Sequence, residues 1–409
     1  MNTKKFVIRK LFEDLMPIYP LYLIYFENKG LTVQQISVLL AIWSLAVVLL
    51  EIPSGVMADR WSRKNMIMIG SLCRAACYLI WSFSDRFELF ALGFILWGTG
   101  GAFVSGAEEA LLFDSLKQEG RETDFDRYLG RGRFLSGIGN ILAAVGGGFI
   151  GTYFGIRWAL YLSVAFCIIS AGIACLYKEV NLYRETTLAR TEKQETLKNA
   201  FSFLFRTKEL LVFSLLAVMV VGMAGVLDEY DAVIAKEYGL SMSGIGIWSA
   251  MRFILVALGG YLTPFFRRIT ERALGKKKRI YLVSSLCIMG AMSLAAAGAI
   301  RSFAAMGFYG FYYLVMAVAD ILQEDFIQQR IEEEGRSTVH SILSLSMNLY
   351  GILCFCILGL FLNFIALHGM LVCIAGYTAI LTVIFMLIFA RIKRRVPAES
   401  IFRDDNTSG

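Results

Sequence analysis

The sequence predicts an all-α membrane protein with twelve transmembrane helices in two six-helix halves. Three observations lead to this prediction: 57% of the 409 residues are hydrophobic, only 18% are charged, and the charges are gathered between long apolar runs. A helix that crosses a bilayer needs about 20 mostly apolar residues, so the composition suffices for twelve crossings. The same composition excludes a soluble enzyme, a secreted disulfide-bonded scaffold and a disordered chain.

Apolar segments of crossing length recur twelve times along the chain. Lipid offers backbone groups no hydrogen-bond partners, so only helices and closed barrels cross it, and these runs are too long and uniform for barrel strands. We therefore predict spans 1 to 12, in chain order, at residues 6–27, 33–53, 66–84, 87–116, 134–154, 158–177, 209–235, 243–266, 280–299, 302–328, 338–363 and 368–390.

Lysine and arginine are distributed unevenly between the two sides of the predicted bundle. With the N-terminus inside, 33 of the 40 fall on the cytoplasmic side and 5 on the outer side. Cytoplasmic loops of membrane proteins carry such an excess. The sequence thus predicts a multi-pass protein of the cell membrane with both termini in the cytoplasm. The same bias accounts for the net charge of +7, so we expect no nucleic-acid partner.

A polar segment after span 6 divides the chain. We predict an N-terminal six-helix half at 1–178, a cytoplasmic linker at 179–208, and a C-terminal six-helix half with a short cytoplasmic tail at 209–409. Two short repeats relate the halves: Gly-Leu-Thr and Gly-Leu-Ser end spans 1 and 7, and Glu-Gly-Arg follows spans 4 and 10. Duplicated halves are typical of secondary transporters.

The loop between spans 2 and 3 carries a recognisable motif, Gly55-Val56-Met57-Ala58-Asp59-Arg60-Trp61-Ser62-Arg63-Lys64. It resembles the signature of the major facilitator superfamily, Gly-x-Leu-Ala-Asp-Arg-x-Gly-Arg-Arg/Lys. The resemblance implies the major facilitator fold, with spans 1, 4, 7 and 10 along the central path. It also implies a conformational gate in this loop, and we assign that gate to five residues that match the signature: Gly55, Asp59, Arg60, Arg63 and Lys64.

Asp59 is the centre of this predicted gate. Span 11 begins at Ser337-Thr338, a pair suited to cap a helix, and the free backbone donors there favour a nearby anion. We predict that Asp59 lies beside that end and helps to close the inner side. The segments 51–55 and 105–116 look like the branch of bacterial permeases related to macrolide and tetracycline efflux proteins.

Several charged residues lie inside the predicted spans, where a charge costs at least about 2.5–3.5 kcal/mol and usually faces a cavity. Span 7 carries Asp228, Glu229 and Asp231, and span 8 carries Arg252 at a similar depth. We predict that these form a coupling site in which Asp228 titrates, while Asp231 or Glu229 pairs with Arg252. The further candidates for substrate or proton coupling are Glu108 and Glu109 of span 4 and Asp320 of span 10.

Two other features concern the cavity. Pro17 and Pro20 predict a bend in span 1 that frees carbonyl groups. Arg74 of span 3 is expected to reach the membrane surface or to pair with Glu51. The many aromatic residues of spans 1 and 10 suit an amphipathic or cationic compound.

These features favour a secondary transporter that exports an amphipathic or drug-like small molecule against proton entry by alternating access. The alternatives are an uptake permease for a nutrient or metabolite and a non-transporting membrane sensor or assembly partner. The sequence has no nucleotide-binding motif, metal-ligand set or nucleophile–base arrangement. We therefore expect no enzymatic activity, cofactor or metal. The expected partners are a small-molecule substrate, protons and the lipid bilayer, and we expect a monomer.

The predicted orientation can be tested with topology reporters. A reporter fused after Arg190 should give a cytoplasmic signal, and one fused after Lys236 should give an external signal, because the charge bias places these sites on opposite sides. Alkaline phosphatase and green fluorescent protein fusions provide the two complementary signals. Reversed signals at both sites would contradict the assignment of every span.

Overall fold

The computed structural model describes residues 2–182, 207–274, 279–329 and 336–395, with the backbone alone at a few positions that include Asp59. Most of the predicted linker, residues 183–206, lies outside this described part. Within it, eleven helical segments are long and apolar enough to cross a membrane. They correspond to predicted spans 2 to 12, and a broken span 1 precedes them, so the chain has the predicted all-α architecture.

Nine spans are each one continuous helix. Spans 2, 3, 5 and 6 are Val33–Arg60, Arg63–Phe83, Phe125–Tyr153 and Ile156–Cys175. Spans 8 to 12 are Met242–Leu274, Arg279–Ala299, Ala305–Gln328, Arg336–Phe361 and Leu367–Arg395. Span 11 therefore starts one residue before the predicted Ser337-Thr338.

The other three spans are interrupted. Span 1 consists of Asn2–Asp14 and Tyr22–Asn28, and span 4 of Phe87–Val104 and Ala107–Gln118. Span 7 consists of Lys208–Leu216, a π-helical turn at Ala217–Val221, and Met223–Glu237. These are three of the four spans expected along the central path.

The break in span 1 is larger than the predicted bend. Residues 15–21 form turns, because prolines at two of these positions lack the N–H that a helix interior requires. The freed Ile18 amide instead donates to Ser163 Oγ of span 6 at 3.1 Å. The backbone amide of Ile18 is thus hydrogen-bonded within the interruption, which indicates that the break is part of the fold.

The repeated Gly-Leu-Thr and Gly-Leu-Ser sequences adopt the same conformation. Gly30 ends span 1 at φ 85° and Gly239 ends span 7 at φ 86°. Both values are in the left-handed region, which glycine adopts without a side-chain clash. The two halves therefore share a local structure as well as a short sequence.

The halves meet along two pairs of long helices, span 2 with span 11 and span 5 with span 8. Span 5 approaches span 8 so closely that a Cβ added at Gly148 would lie 2.9 Å from the Cα of Gly246. Ser44 of span 2 donates to the carbonyl of Asn348 in span 11 at 3.0 Å. Spans 3, 6, 9 and 12 pack within their own halves.

Span 5 also holds the broken part of span 1 through a glycine. A Cβ at Gly147 would lie 2.0 Å from the carbonyl oxygen of Pro17, whereas a Cβ at the adjacent Gly146 would meet nothing within 4 Å. The turn at 15–21 can reach its position only because residue 147 has no side chain.

Gly147→Ala should therefore destabilise the protein by about 1–3 kcal/mol, because the backbone of span 1 has to move away from span 5. Gly146→Ala is the matched control, and it should leave stability unchanged or slightly raised. Thermal unfolding of the purified proteins in detergent measures both. Equal melting temperatures for the two variants would contradict the close approach.

Candidate functional site

Arg252 joins two of the span 7 acids in the interior of the C-terminal half. Its Nη2 lies 2.5 Å from Asp228 Oδ1, and its Nε lies 2.8 Å from Asp231 Oδ2. The Arg252 side chain is 7% exposed and that of Asp231 is 5% exposed. An ion pair this deep needs further hydrogen bonds to offset the loss of hydration.

Span 10 supplies those hydrogen bonds. Tyr309 and Tyr313 both donate to Asp231 Oδ1, at 2.6 and 2.8 Å. Trp248 of span 8 stacks on Tyr309 with ring centroids 5.5 Å apart. The Arg252 guanidinium lies 5.4 Å from the centre of the Tyr313 ring, which adds a cation–π contact. Spans 7, 8 and 10 are therefore joined at one polar cluster.

Glu229 is separate from this cluster because successive residues of a helix are rotated by about 100°. It accepts a hydrogen bond from the hydroxyl of Tyr22, which belongs to span 1 of the other half. It forms no ion pair with any cation among the described residues. The predicted pairing of Asp231 with Arg252 is therefore confirmed, but Asp228 also contacts Arg252, and Glu229, the other predicted partner, contacts a tyrosine.

Two cavities of about 310 and 380 Å³ meet at Trp43 and Glu229. The residues that line the first cavity are Asp14, Met16, Tyr19, Tyr22, Leu40, Trp43, Arg74, Phe94, Trp97, Asn140, Glu229 and Phe253. The polar residues of the second cavity are Ser44, Asp228, Glu229, Arg252, Tyr313, Asp320 and Asn348, and the turn at Val221-Gly222 also lines it. Both halves therefore contribute to a central space with an excess of acids.

The halves are joined by polar contacts at the end of the bundle where spans 1 and 7 finish. Lys236 forms an ion pair with Glu27 at 2.8 Å, and the hydroxyls of Ser37 and Tyr230 are 2.7 Å apart. We call this the outer end, in keeping with the predicted orientation, and the end that holds Asn2 the inner end. The Tyr22–Glu229 bond lies next along spans 1 and 7 on the inner side of these contacts.

The predicted span 4 candidates do not line either cavity. Glu108 is 1% exposed and belongs to a buried network with Arg9 and Lys10 of span 1, with Lys10 Nζ at 2.9 Å. Tyr177 also donates to Glu108 at 3.0 Å. Glu109 is exposed on another face of the helix. Their inclusion with the coupling residues is not supported by the positions of these side chains, whereas Asp320 does line the second cavity.

The network around Arg9 was missed by sequence reasoning. Arg9 is one of the 33 basic residues assigned to the cytoplasmic side, but its side chain has 0% exposure and pairs with Glu13 at 2.8 Å. The spacing of four residues between the two was a usable signal, because such pairs lie on one helix face. Arg74 also differs from its prediction: its partner is Glu13 at 3.5 Å and it lines the first cavity, while Glu51 lies 3.4 Å from Ser344.

The signature segment is held by the inner end of its own half. Arg63 pairs with Asp114 at the end of span 4 at 2.6 Å. Glu179 accepts hydrogen bonds from the backbone amides of Arg63 and Lys64, both at 3.1 Å, and from the hydroxyl of Ser62. An acid at the first turn of span 3 is favourably placed against the helix dipole.

The remaining gate residues contribute less to the described contacts. Gly55 and Arg60 are exposed in the last turns of span 2. The side chain of Asp59 and those at the start of span 11 lie outside the described residues. The latch between Asp59 and span 11 therefore stays a prediction.

Comparison with known proteins agrees with this architecture. The sequence pattern of the Major Facilitator Superfamily matches residues 12–353, which is most of the chain. The chain belongs to the Major Facilitator Superfamily. It is therefore a multi-pass membrane transporter of small substrates, and the family is one of transporters rather than enzymes.

Two curated relatives carry names that refer to drug resistance. The chain is 24% identical over 288 residues to the tetracycline resistance protein, class H, of Pasteurella multocida, which covers 69% of each protein. It is 22% identical over 292 residues to multidrug resistance protein 2 of Bacillus subtilis, covering 70% of this chain and 69% of that one.

Solved structures of the superfamily share the fold. The nucleoside transporter NupG aligns with a TM-score of 0.75 at 16% identity, over 95% of this chain and 99% of that one. A bacterial homologue of the human lysosomal transporter Spinster, in an inward-facing conformation, aligns with a TM-score of 0.71 at 16% identity, over 97% and 98%. At these identities the likeness concerns the fold alone.

Arg252→Ala should destabilise the protein by about 3–5 kcal/mol, because Asp228 and Asp231 would be left without a counter-ion in the interior. Adding Asp228→Asn and Asp231→Asn to that variant should restore part of the lost stability, since the cluster of Arg252, Asp228 and Asp231 then carries no charge. Arg121→Ala is the control, because it removes an ion pair that is partly exposed on the loop after span 4. Thermal unfolding measures all three, and a neutral Arg252→Ala would contradict the role of this cluster.

Proposed function

We propose that this transporter exports an amphipathic or drug-like compound in exchange for protons, and that Glu229 is the residue that binds the proton. The observation that carries the proposal is the position of Glu229 between the halves, at the junction of the two cavities and without a described counter-ion. This replaces Asp228, which sequence reasoning favoured.

The contrast with the two aspartates supports this choice. Arg252 lies within ion-pair distance of both Asp228 and Asp231, so the cavity can close around them with their charges compensated. Among the described residues, Glu229 accepts a hydrogen bond from the Tyr22 hydroxyl and pairs with no cation. Closing the cavity around Glu229 therefore calls for a proton or for a cationic group of the substrate.

A transport cycle follows because a proton and the substrate compete for Glu229. With the outer side closed, Glu229 accepts the Tyr22 hydrogen bond, and a substrate entering from the inside can displace a proton from it. When the halves separate on the outer side, the Tyr22–Glu229 and Lys236–Glu27 contacts have to break. Glu229 then faces external water, where a proton replaces the departing substrate, and the protonated carboxyl allows the halves to close again.

Export is favoured over uptake for two reasons. The cavities contain more acids than bases, which suits a neutral or cationic compound rather than an anionic nutrient. The names of two relatives refer to tetracycline resistance and multidrug resistance. A role as a sensor or assembly partner has no comparable support, because large cavities with an uncompensated acid are costly to keep without a ligand. We further propose that the chain has no enzymatic activity and acts as a monomer in the cell membrane.

Glu229→Gln should lose gradient-driven transport by at least about tenfold while downhill exchange of substrate is kept, because the amide cannot carry a proton through the cycle. The assay uses proteoliposomes with an imposed pH gradient and a panel of fluorescent amphipathic compounds, with proton flux recorded beside substrate flux. Glu122→Gln is the control, since it neutralises an exposed acid of the loop after span 4 that lines neither cavity. Tyr22→Phe should reduce the coupling without abolishing it.

Three outcomes would contradict the proposal. Full coupling in Glu229→Gln would exclude this residue, and uncoupling in Asp228→Asn alone would return the site to the residue that the sequence favoured. Accumulation of substrate along with protons, instead of against them, would indicate uptake.

A further inference from the structure

Arg74 is a cation near the middle of the membrane. It is the twelfth residue of the helix Arg63–Phe83, so it lies roughly 16 Å from the inner end of span 3 at a rise of 1.5 Å per residue. The hydrocarbon core is about 30 Å thick, so this depth is too great for the side chain to reach the surface easily. An arginine at such a depth usually faces a cavity and has a function, and Arg74 lines the first cavity with 16% of its side chain exposed.

Arg74 belongs to a group of three cations that form ion pairs with two carboxylates. Three cations, Arg9, Lys10 and Arg74, share the two carboxylates of Glu13 and Glu108. Arg9 and Lys10 each contact both of these acids at 2.9 Å or less, whereas Arg74 reaches only Glu13, at 3.5 Å. The Nε of Arg74 has no hydrogen-bond partner among the described residues. Arg74 is thus the cation of the three with the weakest internal compensation.

Asp14 lines the first cavity at the same end as Arg74, and it accepts a hydrogen bond from the hydroxyl of Ser136. No ion pair within 4 Å joins Asp14 to Arg74 in the described part of the chain. Asn140 also lines the cavity here, and it uses its amide for one bond of 3.2 Å to the Ser136 carbonyl. The amide and the guanidinium leave donors available at the inner end of the cavity.

The other end of the same cavity holds Glu229, beside Tyr22. Asp14 and Tyr22 are eight residues apart on span 1, so the two ends are well separated. Between them the wall is aromatic, with Trp97 6.2 Å from both Tyr19 and Trp43 by ring centroids. Such rings favour a flat aromatic body packed by offset or edge contacts.

We propose that the first cavity binds an aromatic compound that carries both an acidic group and a basic nitrogen, with the acidic group at Arg74 and the basic nitrogen at Glu229. This inference rests on the proposed function, in which Glu229 serves protons and substrate in turn. It narrows the substrate class from amphipathic compounds in general to aromatic zwitterions. Arg74 is then a specificity-determining residue, and the Asn140 amide donates a further hydrogen bond to the acidic group.

The test is equilibrium binding to the purified full chain in lipid nanodiscs at neutral pH, without any gradient. The probes are ciprofloxacin, a flat zwitterion with its acid and amine at opposite ends, its decarboxylated analogue, which keeps the amine, and its N-acetyl derivative, which keeps the acid. We expect the zwitterion to bind about tenfold more tightly than either analogue, because a charge-assisted hydrogen bond is lost in each case.

Variants assign the two preferences to residues. Arg74→Gln should abolish the preference over the decarboxylated analogue and leave the preference over the N-acetyl derivative, while Arg74→Lys should keep part of the first. Glu229→Gln should abolish the preference over the N-acetyl derivative and leave the preference over the decarboxylated analogue. Size-exclusion profiles and thermal unfolding establish that each variant is folded, and the comparison of the three probes on the unaltered protein needs no variant.

Three results would overturn the proposal: no binding of ciprofloxacin to the unaltered protein at millimolar concentration, equal or tighter binding of the decarboxylated analogue, or an unchanged preference in Arg74→Gln. None of them depends on proton coupling, which the proteoliposome assay of Glu229→Gln measures separately. Loss of coupling with no zwitterion preference, or the reverse, therefore distinguishes failure of this inference from failure of the proposed function.

Discussion

The structure depends on the neutralisation of charges inside the membrane. In each half, an arginine of the described part is buried between two carboxylates: Arg9 between Glu13 and Glu108, and Arg252 between Asp228 and Asp231. Each group joins helices that hydrophobic packing alone would align weakly in lipid. Glu229 and Arg74 face the same cavity with less compensation, and these are the two residues to which we assign ligand contacts.

Interrupted helices place these groups. Spans 1, 4 and 7 are all broken, and the breaks adjoin the charged residues. In span 7 the π-helical turn, closed by a 2.8 Å bond from the Gly222 amide to the Ala217 carbonyl, precedes the acids by about two turns. A π-turn changes the rotation of everything that follows it. It therefore sets which span 7 acids face Arg252 and which one faces span 1.

The inner end of the N-terminal half is also held together by charged side chains. Arg63, Asp114 and Glu179 tie the signature segment to the end of span 4 and to the first residues of the predicted linker. Span 4 also lines the first cavity through Phe94 and Trp97, so the same span contacts both that cavity and the signature segment. The signature is thus positioned to respond to the cavity, whichever contact Asp59 itself makes.

The sequence by itself determined the helical class, the span positions, the repeated halves and the grouping of Asp228, Glu229, Asp231 and Arg252, because hydrophobic length and charge cost act locally along the chain. The domain limits, orientation and residue roles remain predictions. Only the tertiary structure decided the pairings: Asp228 with Arg252, Glu229 with Tyr22, and Arg74 with Glu13 rather than Glu51. One residue along a helix turns a side chain by about 100°, so its partner depends on helix rotation and on neighbours distant in sequence. Arg9 shows the same limit. From sequence alone, a basic residue at the start of a helix is expected to be solvated, and only the packing of other helices around it shows that Arg9 is buried.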